Sequence, residues 1–205
     1  MPASPTPMLL KPIIACTDPE AIAFEFENSR ALLRYWRSKQ AGGLIPLAEA
    51  IEPAALKPLL PELVIYDLPD LGTVRYRLAG TLAVQRLGFE PKGRNLVEFA
   101  TPEMRSLVTL AFNVVARSYV GLVSHFRLVH DGGVPARMEM LLLPLTPPAG
   151  EPPRVISVIS REELPPELTR FGIDHPPETI DDATVFDIGY GLPNLSMIPG
   201  LNAAA

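Results

Sequence analysis

The chain has 205 residues and a formal net charge of −5, a length that suits one domain with tails better than two domains. Its single cysteine excludes an internal disulfide and any cysteine-only metal cluster. No run approaches the ~20 apolar residues of a membrane-spanning helix. The charge is uneven, because residues 161–205 carry two arginines against eight carboxylates, a net of −6, and leave a near-neutral body. That balance lacks the clustered basic surface by which proteins displace counterions from nucleic acid, and it offers nothing to anionic lipid.

The start, "MPASPTPMLLKPIIAC", contains a lipoprotein-like "IIAC" ending in Cys16. A signal segment needs a basic start and a longer apolar run, whereas Pro5, Pro7 and Lys11 interrupt this one. Residues 1–17 therefore read as a disordered leader, and the expected compartment is the cytoplasm.

Asp18-Pro19-Glu20 has the composition of a helix start, with an acceptor at the cap and proline at the first helical position. The helix is expected over 18–41, ending at Gly42-Gly43. Ile22, Phe26, Leu33 and Trp36 recur at helical spacing, and Phe24, Leu32 and Tyr35 widen the stripe. Such a stripe must be covered, either by its own domain or by a second copy of the chain. For the second case Phe26, Leu33 and Trp36 are the candidate dimer or partner face. Residues 46–64 read as short helical pieces broken by Pro53, Pro58 and Pro61.

Strand-length segments follow. "LVIYDL" (63–68) ends at Pro69-Asp70, and "TVRYRLA" (73–79) alternates, setting Val74, Tyr76 and Leu78 against Arg75, Arg77 and Ala79. A short helix "LAVQRLG" is expected after Thr81, with Gly88 as its left-handed stop. "GRNLVEF" (93–99) adds another helical turn. Pro102 opens a longer helix to about Ser118, with Met104, Leu107, Val108, Ala111, Val114 and Val115 on one face. "LVSHFRLVH" and "ARMEMLLLPL" flank Asp131-Gly132-Gly133 as a hairpin, and "RVISVIS" (154–160) is the last strand. Residues 161–205 read as an acidic, proline-rich, largely disordered tail. Two strands, then helices, then three strands suggest an α+β fold: one five-stranded antiparallel sheet with helices on one face.

That order, with "RYRLAGTLAVQRLGFEPKGRNLVEF" at its centre, resembles the PAS domain superfamily of sensor modules. It is closest to a branch of stand-alone alphaproteobacterial PAS proteins, long catalogued as a domain of unknown function. The marks are Tyr35-Trp36, the run from Pro46 through Ile51 to Pro53, Arg77-Leu78-Ala79-Gly80-Thr81, the Gly88 to Gly93 step and Leu141 through Leu145. The resemblance spans about residues 25–160 and implies a PAS fold. It also implies a sensory or signalling role, in which some relatives regulate motility and the cell cycle.

The chemistry of related sensors is testable residue by residue. Flavin photosensors of this fold carry a reactive cysteine where this chain has Leu96, and they hold the flavin edge with strand amides that "ARMEMLLLPL" and "RVISVIS" lack. A flavin adduct is thereby excluded. Haem is not expected, because helix 102–118 has no histidine. His125 and His130 read as solvent-facing strand histidines, and with His175 and Cys16 they are too dispersed for a zinc site. Neither a G-x-S-x-G elbow nor a phosphate-binding loop is present. Glu139, flanked by Met138 and Met140, is the one candidate acid or base for a small enzyme, and alternation suggests it is exposed. On the layout that the resemblance implies, Leu78, Phe99, Phe112, Phe126, Met138 and Met140 surround the space between sheet and helices, either filling it as core or walling an apolar cavity, with Arg77 or Arg94 at its edge for an anionic group. The expected function is a non-enzymatic sensor of a small apolar or aromatic ligand, acting as a homodimer through a signalling protein partner, because no output domain accompanies it.

Overall fold

The computed structural model describes residues 13–43, 45–129, 135–162 and 179–194. Seven strands form one mixed sheet. They are β1 (Ile13–Cys16), β2 (Leu63–Asp67), β3 (Arg75–Ala79), β4 (Val120–Val129), β5 (Pro135–Leu145), β6 (Arg154–Arg161) and β7 (Thr179–Asp187). Their spatial order is β1-β7-β4-β5-β6-β2-β3. The helices are α1 (Glu27–Ser38), α2 (Thr81–Leu87) and α3 (Pro102–Ser118).

The expected five-stranded antiparallel sheet is corrected to this seven-stranded one. The five strands foreseen from the sequence are all present, as β2 through β6. The two others come from segments read as leader and tail. β7 pairs antiparallel with β4, and β1 lies parallel to β7 at the sheet's edge. Thus "IIAC" is an edge strand, in which the Cys16 thiol donates to the Asp18 carbonyl at 3.0 Å. Residues 163–178 and 195–205, also assigned to the tail, lie outside the described residues, as do His130, Asp131 and His175.

Helices cover both faces of the sheet. On one, α2, α3 and a 3₁₀ turn (Leu96–Phe99) enclose Val64, Tyr66, Tyr76, Phe112, Val115, Leu122 and Leu142. On the other, α1 packs Leu32, Leu33 and Trp36 against Val123, Leu141, Leu143, Ile156 and Phe186. β5 serves both cores through its alternation, which its run "MLLL" hides because neither side is wet. The indole of Trp36 is fully buried and donates to the Pro144 carbonyl at 2.8 Å. Leu33 and Trp36 are therefore interior groups of their own domain, which corrects their assignment to a dimer or partner face. Phe26 is half-buried at the start of α1.

α1 itself begins later than expected. Asp18 does cap a turn, accepting from the Glu20 amide at 3.0 Å, but only a 3₁₀ turn (Pro19–Ala21) forms. The chain then leaves the helical path and bends at 25–26, and the helix starts at Glu27 with no side-chain cap. α2 ends at Gly88, whose φ of 75° is the left-handed stop foreseen for it, while Thr81 is the first helical residue and Gly80 takes the cap position. α3 has the expected bounds, with the Thr101 hydroxyl accepting from the Met104 amide at 3.3 Å.

Candidate functional site: an apolar cavity and a buried carboxylate clasp

Between the sheet and the helices α2 and α3 lies a cavity of about 240 Å³. Alternation builds its floor: Ser124, Phe126 and Leu128 of β4 and Met138 and Met140 of β5 point the same way. The roof is Leu87 of α2, Leu96 and Phe99 of the 3₁₀ turn, and Met104, Val108 and Phe112 of α3. Asn95 shapes that turn by accepting from the amides of Val97 at 3.1 Å and Val74 at 3.0 Å. Its neighbour Leu96 is thereby delivered to the cavity wall.

Five of the expected pocket residues line the cavity: Phe99, Phe112, Phe126, Met138 and Met140. Leu78 does not; it is 43% exposed. The cause is a register shift, in which Ile65 faces Leu78 but Tyr66 faces Tyr76, so Arg77 is the extra residue of a bulge and the alternation breaks there. Arg77 is likewise away from the cavity, paired with Asp67 at 3.1 Å. Arg94 stacks over the Phe89 ring, 4.6 Å from its centre, and Phe89 in turn contacts Phe99.

Sequence reasoning missed Tyr66, Tyr76, Arg86 and Ile159 in the lining, and with them Ile13, Ile180 and Ala183 from β1 and β7. The alternation of "RYRL" carried a signal for Tyr76. Arg86 carried none, since an arginine on a short helix reads as solvated. In fact Arg86 is buried, donating to Glu62 at 2.6 Å and to the Ile159 carbonyl at 2.6 Å. Glu62 also accepts from Asn28 of α1 at 2.6 Å and Ser160 of β6 at 3.1 Å. Burial pushes the Tyr76 phenol well above its ordinary value and raises Tyr66 as well, so both stay neutral hydroxyls.

Glu139 and His125 lie on the opposite face. Both were expected in solvent, but α1 and the segment before it cover them, and Glu139 is fully buried. Its carboxylate accepts from the Glu25 amide at 2.6 Å, the Phe26 amide at 3.4 Å and His125 Nε2 at 2.9 Å. His125 Nδ1 is 2.7 Å from Asp182 of β7. The imidazole thus sits between two carboxylates. The Glu139 hydrogen bond raises its pKa to about 9 against the opposing pull of burial, with Asp182 adding to the rise. Burial pushes the Glu139 carboxyl up, but His125, the Ser29 side chain and the Glu25 amide together outweigh it and hold the group below its ordinary value. Because the two carboxylates bind opposite ring nitrogens, the three groups do not converge on one point. No metal-holding cluster of three or more such groups occurs among the described residues.

Among the described residues no helix is long and apolar enough to cross a membrane. No curated protein matches the chain. Similar solved structures include an RNA-binding light-oxygen-voltage receptor, 18% identical over 59% of this chain and 36% of that one, with a TM-score of 0.39. VqmA of Vibrio cholerae is 14% identical over 58% and 54%, with a TM-score of 0.41. A PAS domain from Colwellia psychrerythraea is 12% identical over 53% and 96%, with a TM-score of 0.37. The chain spans about a third to a half of the first two. A family model described as PAS domain matches residues 25–160, two thirds of the length, and on that match the chain belongs to the PAS domain family.

Proposed function

We propose that this chain is a non-enzymatic sensory module in which a small apolar molecule fills the cavity and a signalling protein partner receives the output. The observation that carries the reading is the cavity itself, about 240 Å³ of space walled by aromatic rings and methionines. Native cores close such space, because unfilled volume forfeits dispersion contacts on every side. Methionine walls adapt to the shape of an occupant. Proton-transfer chemistry on that occupant would need an acid or base in the wall. Among the described lining residues there is no aspartate, glutamate or histidine. Glu139, the candidate for an enzyme, belongs to the other face.

Native mass spectrometry of freshly purified protein tests the reading, with Ala111→Trp, which places an indole in the cavity, as the comparison. A small adduct that is released on denaturation and absent from the variant is expected. An adduct-free wild type that also fails to take up small aromatic compounds would overturn it.

A further inference from the structure

The cavity wall is not uniformly apolar, and its polar part has a definite chemistry. Arg86 closes the end nearest Ile159, and its two terminal nitrogens are committed to Glu62 and the Ile159 carbonyl. Its Nε–H is buried and has no hydrogen-bond partner among the described residues. A buried donor left unpaired is costly, so an acceptor brought to this end of the cavity recovers that cost on binding.

The charge balance decides which acceptor. Glu62 already matches the Arg86 charge at 2.6 Å, with Asn28 and Ser160 completing its donors. Nearby on β6, Arg161 acts on both members of that pair, and Glu162 offsets Arg161. A second carboxylate entering here would meet a cation already neutralised and would lose its own hydration in a wall of rings and thioethers. An uncharged oxygen meets the donor without that penalty. The volume, at about 30 Å³ per water-sized group, suits a molecule of roughly eight to ten non-hydrogen atoms.

Resting on the reading of the cavity as a ligand site, we infer that its ligand class is a small, uncharged, largely apolar molecule carrying one carbonyl-type acceptor, such as an aryl ketone, aldehyde or lactone. The acceptor faces Arg86, and the hydrocarbon lies against Phe112, Phe126, Met138 and Met140.

Calorimetric titration of the full chain with three probes of similar size tests this: propiophenone, propylbenzene and phenylacetate. Propiophenone is expected to bind roughly tenfold tighter than propylbenzene, the value of one satisfied buried donor, and phenylacetate weakest of all. In the double variant Glu62→Gln/Arg86→Met, which removes donor and counter-charge together, the ketone and the hydrocarbon should bind alike. Should this variant fail to fold, wild-type protein with Phe112→Trp, which narrows the hydrocarbon end only, should weaken both neutral probes while keeping their ratio. Equal binding of ketone and hydrocarbon to the wild type, or tightest binding of phenylacetate, overturns the inference but leaves the cavity as a ligand site. Binding of none of the three overturns both.

Discussion

Replacing Glu139 by glutamine isolates the clasp that holds the start of α1. The substitution keeps the shape, removes the charge and turns one acceptor oxygen into a donor facing the Glu25 and Phe26 amides or the imidazole. Loss of charge-assisted hydrogen bonds at a fully buried site costs about 2–4 kcal/mol, which in a chain of this size lowers Tm by roughly 5–15 °C. The pH dependence is the sharper readout. The folded pKa of His125 is raised to about 9. Its contribution is therefore complete below the ordinary histidine value and is lost as pH rises through about 9. The ceiling is about 3 kcal/mol for a shift of this size. Glu139 works in the other direction: its lowered pKa contributes above the ordinary carboxylate range and is lost as pH falls through it. Urea unfolding at pH 6, 7.5 and 9.5 should show the wild type weakening across the alkaline step. Glu139→Gln should start lower and weaken less over the same step, since its imidazole has lost its main partner. The charged neighbours on the packed elements are the Arg127–Asp181 and Arg137–Glu25 pairs. Amide exchange at Glu25 and Phe26 should accelerate in the variant. Equal stability and parallel pH profiles for the two proteins would refute the account of the clasp.

Gly121→Ala tests the docking of β7: a Cβ there would stand 2.1 Å from the Phe186 ring, so the ring or the strand that carries it must shift. A loss of about 1–3 kcal/mol is expected, with faster amide exchange concentrated in β7 and β1; exchange unchanged there would refute the pairing. Glu62→Ala leaves Arg86 buried without its counter-charge. Urea unfolding should register a loss of about 3–5 kcal/mol, and a loss below 1 kcal/mol would show that Arg86 finds another partner.

The sequence was most legible where one amphipathic surface met one environment. α3 announced itself by apolar spacing and the β4–β5 hairpin by its Asp-Gly-Gly signal, while Met138, Met140 and Phe126 were placed round the cavity by the layout that the family resemblance implies. Reading failed where burial depends on a partner far along the chain. "TIDDATVFD" carries three aspartates and looks like tail, yet Asp182 answers His125, while Ile180 and Val185 join the cavity side. The polar side of β4 and β5 looked wet because the covering element, α1, lies about a hundred residues away. The wide stripe of α1 was the available clue: Leu32, Leu33 and Trp36 need an apolar surface, and Leu141 and Leu143 present one. Leu78 failed for a different reason, since a one-residue bulge reverses the facing of everything beyond it and leaves no mark in composition.

The two faces of the sheet are not independent, and the connection is polar. Apolar contacts are non-directional and tolerate small displacements, whereas a buried carboxylate with three donors has few alternative arrangements. Glu62 is such a group, and its donors come from opposite sides: Arg86 from the cavity wall, Asn28 from α1 and Ser160 from the strand between them. The first turn of α1 and the residues just before it thus hang from two buried carboxylates, Glu62 through Asn28 and Glu139 through two amides. Only the first of these touches the cavity wall. On the proposed ligand reading, an acceptor at Arg86 Nε would draw on the same guanidinium whose terminal nitrogen Glu62 holds, and any adjustment of Glu62 would fall on Asn28 as well. On that reading, reciprocity requires that a partner moving the start of α1 would change the affinity of the cavity by the same factor that a ligand would change the affinity of the partner.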